Sequence, residues 1–257
     1  DREFPDAVML EAKATPQSVE ESAVAGRLDL RDKVVITIDG ASSKDLDDAV
    51  SLERDGLGRW VLGVHIADVS HYVRPGSALD LEAWERGTSV YFADQVVPML
   101  PRELSNGICS LNPRVDRLAL SCVTPLTPEG EVVDHTIAKS VIRTTERMTY
   151  EDCNALLAHS DPALAERYAR ILPMLEDMAA LSRVLEGRRR RRGALELDTR
   201  ESYVVCDESG TPVDVVLRTP GISEGLIESF MPAANECVAE HLNRLDKPCV
   251  YRVHEKP

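Results

Sequence analysis

The sequence predicts a fold of the α/β class, of mixed α+β type, in which helices pack against a mixed or antiparallel sheet. Two patterns predict it. Short β-branched runs bounded by turn residues are typical of strands, and Leu and Met residues at helical spacing are typical of packed helices. The chain has 257 residues, 43% of them hydrophobic, which is enough to bury a substantial core. We expect a polar covering segment over residues 1–33 and a folded domain over residues 34–257.

The first strands follow directly after the covering segment. Alternating or continuous apolar residues predict strands at 34–38, from 49 onward, and at 60–66. The turn residues at 55–58 join the last two as a hairpin. The front of the domain should therefore be a sheet with a polar, carboxylate-rich loop at one end.

The middle of the chain mixes short elements with proline-rich connections. We expect a helix from Leu79 to Arg86 that ends at Gly87, and an irregular stretch over residues 93–114. Further strands are predicted at residues 88–92, 118–123 and 132–141.

The last hundred residues are predominantly helical. Thr149 and Asp161 are expected helix N-caps, and an apolar stripe from Leu172 to Leu185 indicates a buried helix that Pro173 should kink or split. We also predict two strands and a last helix, at residues 202–206, 213–217 and 223–245. Pro232 inside that helix conflicts with its helical pattern.

Composition excludes several classes of protein. The 30 basic and 44 acidic residues give a net charge of −14, the wrong sign for binding nucleic acid by bulk attraction. The longest apolar runs are too short to span a membrane. The six cysteines lack zinc-site spacing, so we expect reduced thiols and a cytoplasmic location. The chain begins with neither a start methionine nor a signal peptide, so we expect a piece of a longer protein.

The most informative segment is a loop with four aspartates among ten residues, between two apolar strands. Its acidic residues are Asp39, Asp45, Asp47 and Asp48. Carboxylates this close repel one another, and a hard divalent cation such as Mg²⁺ or Mn²⁺ removes the repulsion. The spacing does not fit a calcium-binding EF-hand loop, because Lys44 and Val50 occupy the required Gly and Glu positions. The alternative is that the aspartates are turn and capping residues on a solvated loop.

Eight segments together resemble the catalytic RNB domain of the ribonuclease II/ribonuclease R family. They occur in the family's order and cover almost the whole chain: TIDGASSKDLDDAVSL (37–52), GVHIADVSHYV (63–73), RGTSVYFADQVVPMLPRELSNGICSLNP (86–113), DRLALSC (116–122), ERMTYEDCN (146–154), RRRGALELD (190–198), IESFMPAAN (227–235) and VYRVHEKP (250–257). The resemblance implies an RNB-type catalytic domain truncated at its C-terminal end.

The resemblance also implies a function. Family members are metal-dependent enzymes that hydrolyse single-stranded RNA processively from its 3′ end and release nucleoside 5′-monophosphates. The four aspartates match the family's metal ligands, and Asp45 and Asp47 are the expected catalytic pair. Tyr91 matches a residue that stacks near the RNA 3′ end, Tyr150 a second active-site tyrosine, and Glu228 a contact to the terminal nucleotides. We therefore expect Mg²⁺ (or Mn²⁺) as cofactor, RNA as partner, no membrane and a monomer.

Other polar residues have structural interpretations. We expect His65 to be a hydrogen-bonded sheet residue, Asp68 a cap or turn residue, and the tyrosines, without the resemblance, core residues. Five consecutive arginines, 188–192, turn through about 400° on a helix and cannot form one face. They could line an RNA path or complement the end of a helix. Two other functions stay open: a non-catalytic RNA-binding relative, and a metal-dependent phosphatase.

Overall fold

A computed structural model describes residues 2–194, 201–207, 209–218 and 220–253 of the chain. The sequence motifs at 190–198 and 250–257 each extend beyond these ranges, so their residues 195–198 and 254–257 lie outside the described residues.

The described residues form eleven strands. In chain order the described strands are β1 (Leu28–Asp29), β2 (Ile36–Asp39), β3 (Asp48–Arg54), β4 (Trp60–Ala67), β5 (Val90–Tyr91), β6 (Val96–Val97), β7 (Asp116–Leu126), β8 (Thr136–Arg143), β9 (Glu146–Thr149), β10 (Glu201–Cys206) and β11 (Pro212–Arg218). Within the described residues, seven of them form one sheet in the order β1-β8-β7-β4-β3-β2-β9. The strands β5 and β6 pair separately, as do β10 and β11.

The seven-stranded sheet is mixed, as the sequence predicts. Its middle strands pair antiparallel, whereas β1 joins β8 and β9 joins β2 in parallel. The hairpin between β3 and β4 turns at the expected place. Asp55 there accepts hydrogen bonds from the amides of Leu57 and Arg59, and Gly58 has a φ of +75°.

The described residues form seven α-helices. They are α1 (Asp6–Ala14), α2 (Glu21–Val24), α3 (Ala78–Arg86), α4 (Tyr150–Leu157), α5 (Pro162–Arg167), α6 (Leu172–Arg191) and α7 (Ile222–Arg244). The predicted caps are confirmed, because Thr149 accepts from the amide of Asp152 and Asp161 from that of Leu164. Gly87 ends α3 in the left-handed conformation, as expected.

Four details differ from the sequence prediction. The strand predicted at 88–92 is only the two residues Val90–Tyr91, and β8 begins at Thr136 rather than at residue 132. The irregular stretch contains strand β6 and a π-helical turn, Glu103–Ile108. Pro173 lies in the first turn of α6, where its missing N–H has no helical acceptor to lose. It therefore marks the start of a new helix and does not kink one.

Pro232 lies inside an unbroken α7. A proline there cannot donate to the carbonyl four residues earlier, which belongs to Glu228. Arg189 of α6 donates its Nη1 to that carbonyl at 3.3 Å. The arginine replaces the missing donor, so the conflict in the sequence pattern is compensated by a neighbouring helix.

The main core lies between one face of the sheet and the helices α4, α6 and α7. Its buried members include Ile38 and Val50 from the sheet, and Leu175, Met178 and Phe230 from the helices. A smaller cluster that includes Ala49 and Ala119 covers the opposite face, as the period-two alternation of strands requires. Helix α1 packs with α3 and the π-helical turn around a third cluster. The apolar stripe of α6 is thus confirmed as core.

Two further features concern membrane-spanning helices and cysteines. In the part of the chain that the structure describes, no helix is both long and apolar enough to cross a bilayer. All six cysteines lie within the described residues, and each is a free thiol.

Candidate metal and RNA site

The four aspartates lie where two antiparallel strands meet. Asp39 is the last residue of β2, and Asp48 is the first residue of β3. Ile36 pairs with Val50, and continuing that register along the strands places Asp39 opposite Asp47. The fold therefore brings together carboxylates that are eight and nine positions apart in sequence.

The loop between these strands is anchored by its one buried residue. Leu46 is 1% exposed and belongs to the cluster on the second face of the sheet. Its amide donates to the hydroxyl of Ser110 at 3.0 Å, and its carbonyl accepts from the amide of Leu111 at 2.8 Å. The Ser110 hydroxyl in turn donates to the Lys44 carbonyl at 3.0 Å. Because Leu46 points inward, its neighbours Asp45 and Asp47 are directed away from that core.

The carboxylates perturb one another. Partial burial, together with the charges of Asp48 and Asp45, raises the pKa of Asp39 to about 6. The pKa of Asp47 is also raised, first by partial burial of its carboxyl group and then by the charges of Asp45 and Asp48. The residue as a whole is nevertheless exposed. Burial raises the pKa of Asp48. The cluster therefore resists full ionisation in the absence of a cation.

An arginine that the sequence reasoning missed borders the loop. Arg147 of β9 donates its Nη2 to the carbonyls of Gly40, Ala41 and Ser43. Its charge and the hydroxyl of Ser43 oppose the rise in the pKa of Asp39. The available signal is its motif: the residues ERMT form β9, which runs parallel to β2, and Tyr150 follows them. Ser110 was also missed, and it lies in the quoted segment GICSLNP.

Tyr91 is brought to the aspartates by the β5–β6 hairpin. Its hydroxyl donates to Oδ2 of Asp45 at 3.1 Å, while the residue remains 65% exposed. Partial burial and the nearby charge of Asp45 raise the pKa of Tyr91, so its hydroxyl stays protonated and able to donate. The ring is thus tethered at one end and open to solvent along its faces, an arrangement suited to stacking on a base.

A cavity of about 330 Å³ opens between the aspartates and this tyrosine. Asp45, Asp47 and Tyr91 supply its polar border, and Ile66 and Leu100 contribute apolar surface. Its volume falls in the range of small-molecule sites, roughly 300–1,000 Å³.

The other two expected RNA contacts lie on the helices α4 and α7. Thr149 of β9 lies beside Asp39 of the parallel strand β2, and Tyr150 directly follows Thr149. Tyr150 is half-buried against the main core, and its carbonyl accepts a hydrogen bond from Ser223 at the start of α7. Glu228 is exposed on α7, and its carbonyl accepts a hydrogen bond from Nη1 of Arg189. The structure therefore brings Tyr91 into direct contact with Asp45 and places Tyr150 directly after the residue that pairs with Asp39, whereas Glu228 lies on α7.

The residues with structural interpretations behave as expected. His65 is 1% exposed and hydrogen-bonded to Ser51 and Ser121. Asp68 occupies the cap position before a short 3-10 turn and pairs with buried Arg27 at 2.8 Å. The arginines at 188–191 lie in the last turn of α6, and Arg190 and Arg192 pair with Glu186 and Glu236. They are spread around the helix end and do not form one basic face.

The donor set fits a divalent metal ion. Among the described residues, no three His, Cys, Asp or Glu side chains are already arranged as a ligand group. The four aspartates nevertheless offer only oxygen donors within ten residues, and neighbouring carboxylates contribute to the raised pKa values of Asp39 and Asp47. Mg²⁺ and Mn²⁺ prefer such hard oxygen ligands, and a cation would offset the repulsion.

Comparison with known proteins gives a family. Residues 27–257 match the RNB domain model. Ribonuclease R 1 of Lactococcus lactis is 52% identical over 255 residues, which are 99% of this chain but 31% of that protein. Ribonuclease R of Thermotoga maritima is 49% identical over 256 residues, or 99% of this chain and 36% of that protein. The chain thus spans about a third of the length of the curated relatives it matches.

Solved structures agree with the fold. The RNase R of Mycoplasma genitalium in complex with ribose methylated single-stranded RNA superposes with a TM-score of 0.91 at 33% identity. The match covers 99% of this chain and 39% of that one.

Proposed function

The chain belongs to the RNB domain family, and we propose that it is the metal-holding part of a 3′→5′ exoribonuclease that degrades single-stranded RNA processively to nucleoside 5′-monophosphates. One observation carries the proposal: Tyr91, an exposed aromatic ring, is hydrogen-bonded to one of four mutually repelling carboxylates. A base platform and a cation site therefore adjoin, as removal of a terminal nucleotide requires. The RNA-bound relative supports the choice of substrate.

Each residue has a proposed task. Asp39, Asp45, Asp47 and Asp48 would hold Mg²⁺, or Mn²⁺ in its place, with Asp45 and Asp47 nearest the reacting phosphate. A bound divalent cation supplies charge that activates a water nucleophile and stabilises the leaving 3′ oxygen.

Stacking fixes the RNA without reading its sequence. The Tyr91 ring would stack on a base near the 3′ end, at about 1–3 kcal/mol per base. Tyr150 and Glu228 would contact the terminal nucleotides from the α4 and α7 side. The unpaired cysteines support a reducing, cytoplasmic location.

The test follows a 5′-labelled single-stranded RNA with Mg²⁺ over time. Stepwise shortening with release of 5′-mononucleotides supports the proposal. Binding without shortening would identify a non-catalytic RNA-binding relative, and activity only on small phosphate esters would identify a phosphatase. A second RNA with a blocked 3′ hydroxyl is the matched control, because an enzyme that acts from the 3′ end should leave it intact.

A further inference from the structure

The aspartate loop has little backbone structure of its own. Over residues 40–46, its internal bond is from the amide of Ser43 to the carbonyl of Gly40, at 3.0 Å. Its second half is fixed by Ser110 and Leu111, as described above. The first half, which sets the direction in which the chain leaves Asp39, is held differently.

Arg147 makes the contacts that hold this first half. Its Nη2 lies 3.4 Å from the Gly40 carbonyl, 2.9 Å from that of Ala41 and 2.7 Å from that of Ser43. Three carbonyls converge on one nitrogen only if the chain curls around it. Arg147 pairs with Thr37 in the sheet, two residues before Asp39, so the guanidinium reaches the loop from the strand next to β2.

The direction of the Arg147 side chain leaves one of its own donors without an acceptor among the described residues. Its Nε is buried and has no hydrogen-bond partner among the described residues. A buried donor without an acceptor costs folding free energy. The two N–H bonds of Nη2, in contrast, are shared among three loop carbonyls, so the contacts of this side chain are directed at the loop.

We propose that Arg147 is a positioning residue: by binding the carbonyls of Gly40, Ala41 and Ser43, it curls the loop so that Asp39 and Asp45 face one cation site. It contacts neither RNA nor the reacting phosphate in this role. The inference deepens the proposed function, since it names what organises the metal site. It also ties the loop to Tyr150, which lies three residues further along the same segment.

Charge alone is a competing explanation. Arg147 places a positive charge near Asp39, whose pKa it lowers, and a lysine would supply the same charge. A lysine ammonium, however, is a compact point charge on a flexible stem and does not reproduce a planar guanidinium fixed against several acceptors. The Arg147→Lys variant therefore separates positioning from charge.

The experiment compares Arg147→Met, Arg147→Lys and a control, Arg143→Met. Arg143 is also a strand arginine of the main sheet, but it pairs with Asp116, away from the loop. Mn²⁺ binding is measured by calorimetry without RNA, and amide hydrogen exchange is measured over residues 40–48 in EDTA.

We expect Arg147→Met to weaken Mn²⁺ binding by about 10–100-fold, the usual effect of removing a group that orients metal ligands. Exchange over residues 40–48 should accelerate, while β4 and β7 stay protected. Arg147→Lys should recover only part of the affinity, and Arg143→Met should match the wild type.

Three results would overturn the inference. They are Mn²⁺ affinity within twofold of wild type in Arg147→Met, full recovery in Arg147→Lys, and unchanged exchange over the loop. If the wild type itself binds no Mn²⁺, the proposed function fails, while the exchange measurement in EDTA still decides the role of Arg147. If Arg147→Met does not fold, the exchange rates of Arg147→Lys decide it.

Discussion

Two polar clusters lie on neighbouring strands of the main sheet, and they differ in whether the protein satisfies them. In the first, His65 bonds Ser51 at 3.1 Å and Ser121 at 2.7 Å, and Ser121 bonds Ser140 at 2.6 Å. Burial lowers the pKa of His65 to about 4, so the ring is neutral at neutral pH. In the second cluster, burial and neighbouring charges raise the pKa of Asp39 to about 6.

This difference indicates a structural role for the histidine cluster and a ligand-binding role for the aspartate cluster. The histidine cluster is packed so closely that a side chain on Gly63 would collide with Ser51 and His65. Every side chain of that cluster has a partner within the protein, as buried polar groups normally do. The aspartate cluster is left with repelling charges at the edge of a cavity. Charges that a fold leaves uncompensated indicate a ligand from outside.

The largest expected effect comes from removing one charge of the second cluster. Asp47→Asn keeps the shape of the side chain but takes away a carboxylate. We expect the rate of RNA hydrolysis to fall by on the order of 10³ or more, with RNA still bound. Single-turnover hydrolysis and a separate binding assay measure the two quantities. Turnover close to that of the wild type would remove Asp47 from the site.

The first cluster should respond in the opposite way. His65→Ala leaves the hydroxyls of Ser51 and Ser121 without their shared partner and opens a void. We expect the free energy of unfolding to fall by about 3 kcal/mol, whereas the Mn²⁺ affinity of the folded protein should not change. Denaturant unfolding and calorimetry check both points. A loss of metal affinity without a loss of stability would make His65 part of the site.

Two variants of Tyr91 separate its hydrogen bond to Asp45 from the stacking of its ring on RNA. Tyr91→Ala should weaken the hold on the terminal nucleotides by about 1–3 kcal/mol and leave a longer final product. Tyr91→Phe keeps the ring and loses only the bond to Asp45, so its final product should match that of the wild type. Product ladders on poly(A) distinguish the variants. An unchanged ladder in Tyr91→Ala would show that the ring does not hold RNA.

The raised pKa of Asp39 predicts a pH dependence. Its pKa of about 6 in the folded protein exceeds the usual value of 3.8. Between pH 3.8 and pH 6 the Asp39 carboxyl is therefore protonated in the folded state and ionised in the unfolded state. This group therefore stabilises the fold least above pH 6, and its proton competes with metal below pH 6. We expect Mn²⁺ affinity to be about tenfold weaker at pH 5 than at pH 7. Calorimetry that gives equal affinities at both values would contradict this assignment.

Much of the fold could be predicted because its signals are local. The hairpin at Asp55, the cap at Thr149 and the stripe of α6 each depend on residues close together in sequence. The aspartate loop was recognisable for the same reason. The roles of Arg147 and Arg189 were not, because each contacts a backbone carbonyl more than 35 positions away. A carbonyl looks the same in every residue, so no side-chain pattern marks it as an acceptor.

The central claim is that a bound cation relieves the repulsion among the four carboxylates. Thermal unfolding at pH 7, in EDTA and in Mg²⁺, tests it on the wild type and an Asp45→Asn, Asp47→Asn double variant, with KCl of equal ionic strength as the control. In EDTA the double variant should be at least as stable as the wild type, because it lacks repelling charges. Saturating Mg²⁺ should stabilise only the wild type, by about 2.7 kcal/mol at 100 times the dissociation constant. A double variant that is less stable in EDTA, with a wild type indifferent to Mg²⁺, would show that these carboxylates are structural and that the site does not bind metal.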